Sequence, residues 1–323
     1  MKTKRIIVTG ASGFVGAHLA HRLLRDGHDV HLLVRENYKP WRIKSIRSEM
    51  HLHRVELGNI ETLTNVVRRI QPDWVFHLAA YGSYPLETDL YKMVQINVVG
   101  TVNLVEACMK VGFETFINTG SSSEYGFKDH APSEKEWLDP NSHYAVTKAS
   151  ATLFCRYAAQ FKNVHLVTLR LYSVYGPYEE PTRLIPTLIL RGLGGELPPL
   201  VNPNVAHDFI YIDDVIEAYI LAASVSGQEP GAIYNVGTGV QTSMEEVVKT
   251  AQQVLQLHVK PNWGSMPNRH WDIPVWVADN RKIREELGWY PKYNFEQGFY
   301  LMLNWFRSNP TMIDFYQQYC SSR

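Results

Sequence analysis

A doubly wound α/β fold, with helices on both faces of a parallel sheet, is predicted by three features of this 323-residue sequence. Short apolar runs alternate with amphipathic helical patterns through the first half, which means right-handed βαβ units. The runs are nearly continuous, as in strands covered on both faces. A glycine-rich turn joins the first run to the first helical pattern.

In chain order, Arg5–Thr9 reads as a strand and Phe14–Arg25 as a helix, with Val15, Leu19, Leu23 and Leu24 on its apolar side and Gly27 as its stop. Val30–Val34 and Leu52–Leu57 read as the second and third strands. Leu63, Val66, Val67 and Ile70 share a helical face, and Pro72 follows its end. Trp74–Leu78 is the fourth strand, Met93–Val111 a long helix ended by Gly112, and Thr115–Thr119 the fifth strand. His143–Phe161 is helical and Val164–Leu171 is the sixth strand. After Gly176 the texture changes. Prolines cluster at 177, 181, 186, 198, 199 and 203, and the elements become short. We expect residues 1–175 to form one domain and residues 176–323 a smaller one that returns at least once to the main sheet.

Bulk properties exclude several functions. Lys plus Arg and Asp plus Glu both total 32, so no whole-chain field draws the protein to nucleic acid or to a membrane. No apolar run approaches the roughly 20 residues of a membrane span. The basic N-terminus is followed only by Ile6–Val8 before Gly10, too short for a signal peptide. Cys108, Cys155 and Cys320 are too sparse for a disulfide framework and lack metal-ligand spacing. These features point to a cytoplasmic protein with reduced thiols.

The first strand runs into Gly10-Ala-Ser-Gly13-Phe-Val-Gly16. A chain that turns sharply, approaches a pyrophosphate with its backbone and packs a new helix close to the sheet needs glycines at such positions. The helix start then offers free N–H groups and partial positive charge to phosphates. Arg35 ends the second strand, where an acid usually meets the ribose hydroxyls of NAD. An arginine there favours the extra phosphate of NADP, and Arg42 is close enough in sequence to assist. Glu56, at the end of the third strand, could face an adenine amino group.

Tyr144-Ala-Val-Thr-Lys148 sets a phenol and an ammonium on one helical face. Hydride transfer at a carbonyl or alcohol carbon needs a proton donor or acceptor at the oxygen, and a nearby cation would bring a phenol into range. The fifth strand ends in Thr119-Gly-Ser121-Ser122-Ser123-Glu-Tyr125-Gly126, whose hydroxyls fall where doubly wound sheets bind ligands.

Together with His77-Leu-Ala-Ala80, Asn97-Val-Val-Gly100-Thr101, Arg170-x-x-Ser173-x-Tyr175-Gly176-Pro177, Asp208-Phe-Ile-Tyr-Ile-Asp213-Asp214, Tyr234-Asn-Val-Gly237, Arg269-x-x-Asp272 and Leu287-Gly-Trp289-x-Pro291, these motifs resemble the extended short-chain dehydrogenases/reductases. That family includes nucleotide-sugar epimerases, 4,6-dehydratases and 4-ketoreductases, and the resemblance covers nearly the whole chain in order. It implies a Rossmann-type sheet, a smaller C-terminal α/β domain for the sugar nucleotide, and a catalytic set of Ser121, Tyr144 and Lys148. Matched cofactor positions are Gly10, Ser12, Gly13, Phe14, Val15, Gly16, Arg35, Glu56, Leu57, Leu78, Ala79, Ala80, Asn97, Thr119 and Leu171, besides Tyr144 and Lys148. Matched substrate positions are Tyr81, Ser83, Tyr84, Ser122, Ser123, Ser173, Arg183 and Arg269, the last on the nucleotide diphosphate. The long helices at 93–111 and 143–161 correspond to those that pair two subunits in the family, which implies a homodimer.

Three positions depart from common family residues. Ser173 stands where many members have Asn, and His207 where many have Arg. Ser122-Ser123 replaces the Asp-Glu pair of the dehydratases, which argues against dehydration. The leading expectation is a reductase that passes hydride from NADPH to a nucleoside-diphosphate 4-keto-6-deoxy sugar, with Tyr144 as proton donor, Lys148 lowering its pKa and Ser121 polarising the carbonyl. NADP(H) is favoured over NAD(H) by Arg35. The alternatives are an epimerase retaining NAD and, from another class, a non-catalytic NADP-binding regulator.

Overall fold

The structure, a computed structural model, describes residues 2–84, 86–267 and 274–321. Its strands are β1 (Arg5–Thr9), β2 (Asp29–Val34), β3 (His51–Arg54), β4 (Trp74–His77), β5 (Thr115–Ser121), β6 (Leu166–Leu171), β7 (Ser173–Tyr175), β8 (Ala206–His207), β9 (Phe209–Tyr211), β10 (Ile233–Val236) and β11 (Thr242–Ser243). Seven of them form one sheet in the order β10-β6-β5-β4-β1-β2-β3, all parallel. The order reverses at β1, with β4 beside it, so a crevice opens at the carboxyl ends of that pair. The last strand, β10, comes from residues beyond 230 and extends the sheet past β6.

Helices α1 (Phe14–Arg25), α2 (Ile60–Ile70), α3 (Leu90–Met93), α4 (Gly100–Val111) and α5 (His143–Lys162) follow the early strands. One face of the sheet packs on Leu19 and Leu23 of α1 and on Val215 and Tyr219 of the helix Ile212–Ser224. The other packs on Leu63 and Val67 of α2, Leu104 and Val105 of α4, and Cys155 and Ala159 of α5. Each fully buried Leu or Val contributes roughly 1.5–3 kcal/mol. The side chains of Asn59 and Ser142 accept the Thr62 and Ala145 amides and so start α2 and α5.

Several boundaries differ from the sequence expectation, and three of them bear on the site. Strand β3 ends at Arg54, so Glu56 lies in the following turn, where its carbonyl accepts the Asn59 amide. Strand β5 runs on to Ser121, because its ladder with β6 continues through Leu171. The long helix expected at 93–111 starts at Leu90 and contains a π-helical turn, Val94–Val99. Asn97 sits in that turn and is buried. Such single turns mark functional sites more often than chance.

The later motifs are joints of this frame. The buried Asp208 carboxylate accepts the amides of Thr238, Gly239 and Ala278 at 2.7, 2.9 and 3.0 Å. Asp214 accepts the Lys292 amide, and its carbonyl takes the indole N–H of the buried Trp289.

Candidate active site

The turn after β1 is shaped by close approach. Gly10 has a φ of 68°, and a Cβ there would lie 2.5 Å from the Leu78 carbonyl carbon and 2.6 Å from the Ala79 nitrogen. A Cβ on Gly16 would lie 2.4 Å from the Gly10 oxygen. The turn is therefore wedged into the crevice between β1 and β4. Leu78 and Ala79 donate their amides to Thr9 Oγ1, both at 3.1 Å. Helix α1 starts at Phe14 with no side-chain cap and no acid in its first turn. Its first amides, including those of Phe14, Val15 and Gly16, thus keep a positive end that fits a pyrophosphate.

Behind the crevice a buried relay fixes the next loop. Thr9 Oγ1 meets His77 Nδ1 at 2.7 Å, and His77 Nε2 meets Thr101 Oγ1 at 2.8 Å. Thr101 donates to the Asn97 carbonyl. The Asn97 amide accepts from the Tyr81 N–H at 2.8 Å and donates to the Tyr81 carbonyl and to Thr147 Oγ1. Asn97 therefore holds the Tyr81–Tyr84 loop against α5 through its side chain. Burial lowers the His77 pKa to about 3, so the relay stays neutral.

The candidate catalytic set meets at the carboxyl end of β5. Tyr144 is the second residue of α5, and Ser121 lies close enough to its hydroxyl to pull the phenol pKa down. Ser121 Oγ also meets Ser123 Oγ at 2.7 Å and accepts the Ser123 amide. Lys148, one turn along α5 and buried, donates to the Thr119 carbonyl. The Thr119 hydroxyl turns the other way, to Tyr219. Burial lowers the Lys148 pKa, while Glu124 pulls it upward.

Lys148 reaches the Thr119 carbonyl of β5. In the chain itself burial, reinforced by Glu124, pushes the Tyr144 phenol above its ordinary range, against the pull of Ser121 and Arg183. One expectation about charge is corrected by this geometry. Arg42 cannot assist at a ribose phosphate. Its guanidinium is buried, stacked on Trp41, and committed to the carbonyls of Tyr178 and Ser12 and to Glu180. Arg35 is exposed at the end of β2 and makes no ion pair among the described residues; the neighbouring Glu36 pairs with Arg54.

Around the phenol, Arg183 donates to the Ser83 carbonyl at 3.3 Å and lies over the Tyr84 ring at 5.3 Å. Tyr81, Ser83, Tyr84 and Arg183 thus form one wall beside Tyr144. The Leu57 carbonyl is held by Asn103, Ala80 is exposed, and Leu171 ends β6 next to Ser121. Ser173 lies in β7, with no hydrogen bond to the Ser121–Tyr144 pair among the described residues. Arg269 lies outside the described residues.

Three contributors had no role assigned from the sequence. Trp276 donates its indole N–H to Ser122 Oγ at 3.1 Å. Glu124, fully buried, accepts the Ser121 amide at 2.8 Å, the Thr152 hydroxyl at 3.0 Å and Arg170 Nε at 2.8 Å. Arg170 continues to the Tyr125 hydroxyl, which donates to Asn235 of β10 at 2.8 Å. The acid directly after the serine run was the one available signal for this brace.

Comparison with known proteins agrees with this frame. Residues 6–237 match the NAD dependent epimerase/dehydratase family. A UDP-glucose 4-epimerase of Mycolicibacterium smegmatis is 28% identical over 317 residues, 94% of this chain and 99% of the relative. The crystal structure of a Thermotoga maritima UDP-glucose 4-epimerase with UDP-glucose superposes with a TM-score of 0.85 at 26% identity, covering 94% of this chain and 99% of that one. MoeE5 in complex with UDP-glucuronic acid and NAD gives a TM-score of 0.81 at 31% identity with the same coverage. With its glycine turn, parallel sheet and Ser–Tyr–Lys cluster, the chain belongs to the NAD-dependent epimerase/dehydratase family.

Proposed function

We propose that this protein is a nucleotide-sugar 4-epimerase that keeps NAD bound and acts on a nucleoside-diphosphate sugar. The observation that carries the reading is the meeting of Ser121, Tyr144 and Lys148 at the carboxyl end of β5, beside the crevice of the glycine turn. Several of the similar proteins support the choice, being named as UDP-glucose 4-epimerases or holding NAD with a UDP-sugar.

The Gly10–Gly16 turn and the start of α1 would hold the pyrophosphate, Glu56 and Leu57 would flank the adenine, and Lys148 would hold the nicotinamide ribose. Bound NAD would supply a hydride acceptor and, when oxidised, a positive ring beside the phenol. Tyr144 then takes the proton from the sugar hydroxyl and later returns it. Ser121 hydrogen-bonds the same oxygen and stabilises charge developing there. Tyr81, Ser83, Tyr84, Ser122, Ser123, Ser173 and Arg183 would line the sugar side, with Arg269 on the diphosphate.

Arg35 favours a second reading, the 4-keto sugar reductase using NADPH, because no acid occupies its position. Gel filtration of the purified protein separates the two. NAD(H) that comigrates with the protein supports the epimerase; a cofactor-free protein that oxidises added NADPH with a 4-keto sugar nucleotide supports the reductase. Tyr144→Phe is expected to lower kcat by roughly 10²–10⁴-fold in either case, with folding intact. In-cell function left wholly intact by that variant would exclude both and leave the non-catalytic NADP-binding regulator.

The pairing of two copies is part of the proposal. Val146, Leu153, Tyr157 and Phe161 are exposed at i, i+7, i+11 and i+15 along α5, Leu153 by 54% and Phe161 by 68%. An apolar stripe of this kind on a helix of a soluble enzyme fits an isologous interface. The gel-filtration mass reads this directly, and a monomer at micromolar concentration would refute it. No helix among the described residues is long and apolar enough to cross a membrane.

A further inference from the structure

The far edge of the sheet carries a cluster that the proposed chemistry does not use. Strands β2 and β3 pair in register, with His31 opposite His51 and Leu33 opposite His53. Side chains two apart on a strand share a face. Asp29, His31, His51 and His53 therefore converge on one face at the start of these strands, away from the carboxyl ends where the glycine turn lies.

The contacts within the cluster have the form of a ligand set. His31 Nε2 and His51 Nε2 each lie 3.3 Å from an oxygen of the Asp29 carboxylate. Ligand atoms of Asp29, His31 and His51 all fall within 4.8 Å of one another. Ligands at roughly 2.0–2.2 Å around a tetrahedral zinc ion are about 3.3–3.5 Å apart. His31 Nδ1 meets His53 Nε2 at 3.0 Å. When Nδ1 donates there, Nε2 carries a lone pair. That atom is buried and makes no hydrogen bond, although the carboxylate faces it. Two acceptors facing each other at this distance repel unless a proton or a metal cation lies between them. A ring nitrogen whose partner nitrogen is fixed by an outer hydrogen bond is the usual state of a metal-bound histidine.

We propose that Asp29, His31 and His51 bind one divalent transition-metal cation of the zinc class, with His53 as the hydrogen-bonded support of His31. Two imidazoles and one carboxylate suit Zn2+, Ni2+ or Co2+ far better than Mg2+ or Ca2+. The exposed His51 leaves the remaining coordination position to water. The site clips the edge strand β3 to β2 and is independent of the sugar-nucleotide reading.

The test uses untagged, full-length protein stripped of metal and titrated with Zn2+ by isothermal calorimetry, with Co2+ absorption as a geometric readout. The expected result is one equivalent bound per chain, a tetrahedral-type Co2+ spectrum, and a melting temperature raised by roughly 4 °C at a hundredfold excess over Kd. His51→Ala, at a 64% exposed position, should fold normally and abolish all three effects. His53→Ala should weaken binding about 10–100-fold. The surface His130, which contacts Asp129 and Glu136, supplies the control. Absence of Zn2+ binding overturns the proposal, as does binding that survives His51→Ala unchanged or is lost in His130→Ala.

Discussion

Two buried glutamates, one on each side of the active site, meet opposite fates. Glu124 lies under the serine turn between β5, β6 and β10, and every charge it brings is answered: by Arg170, Thr152 and the Ser121 amide. Glu179 lies at the junction of the α1 side, the loop before Arg183 and the C-terminal helix. There one carboxylate oxygen has no hydrogen-bond partner, although Arg183 and Arg42 are near. Tyr316 bonds only the Glu179 carbonyl, and Arg42 is committed to Glu180. The pair teaches that burial alone does not decide what an acid does to stability. A fully hydrogen-bonded ion pair is costly mainly to break, whereas an acid with an orphaned oxygen is costly to keep charged.

The largest effect should come from cutting the satisfied junction. Glu124→Ala leaves the Arg170 guanidinium buried without its acid and removes the brace of the Ser121 turn. It is expected to lose about 3–5 kcal/mol in urea unfolding. Glu124→Gln, which keeps the shape, should lose less but still slow turnover. A stability loss below about 1 kcal/mol in the alanine variant would remove the distinction between the two junctions.

The second effect has the opposite sign. Burial, aided by Glu180, raises the Glu179 pKa to about 8, against the pull of Arg183, the Gly176 amide and Arg42. The folded-state value lies above the unfolded one, so the protonated acid favours the native form. That contribution is complete below about pH 4.5 and disappears as pH rises through 8. Glu179→Gln should therefore stabilise the protein by on the order of 4 kcal/mol at pH 8 and hardly at all at pH 4. Melting curves across that window check it, and a pH-independent difference would refute the assignment.

The smallest effect concerns the loop over the site. Trp276→Phe removes only the indole donor to Ser122, at a cost of about 1 kcal/mol. If Ser122 lines the sugar side, KM should rise severalfold with kcat nearly unchanged. A change in kcat alone would place Trp276 in the chemistry instead.

Much of the fold was legible because periodicity is local. The bounds of β1 and α1 could be read to the residue, since a strand with an apolar centre, a glycine turn and a helix stop leave few alternatives. The π-helical turn at Val94–Val99 was not legible, because one extra residue in a turn barely disturbs an apolar pattern. At the candidate site, Tyr144 and Lys148 announced their common face by their spacing. The direction of the Lys148 ammonium depends on where β5 places the Thr119 carbonyl, which no spacing encodes. Arg42 misled for the same reason: proximity in sequence to Arg35 says nothing of Glu180 and Tyr178, over 130 residues away, which bury it. The Glu124–Arg170 pair, 46 residues apart, likewise needed the sheet to bring it together.

The strand order also has a consequence for how the protein is made. A ribosome-bound chain that has emerged only as far as Lys162 already contains the serine turn, the phenol and the ammonium. It lacks Arg170 and Asn235, to which Glu124 and the Tyr125 hydroxyl bond, and it presents β5 as an open edge. Completion of the reactive centre thus waits for a strand synthesised some seventy residues later. A nascent or proteolytically shortened form ending before Ile233 carries the chemical groups but not the support that sets them.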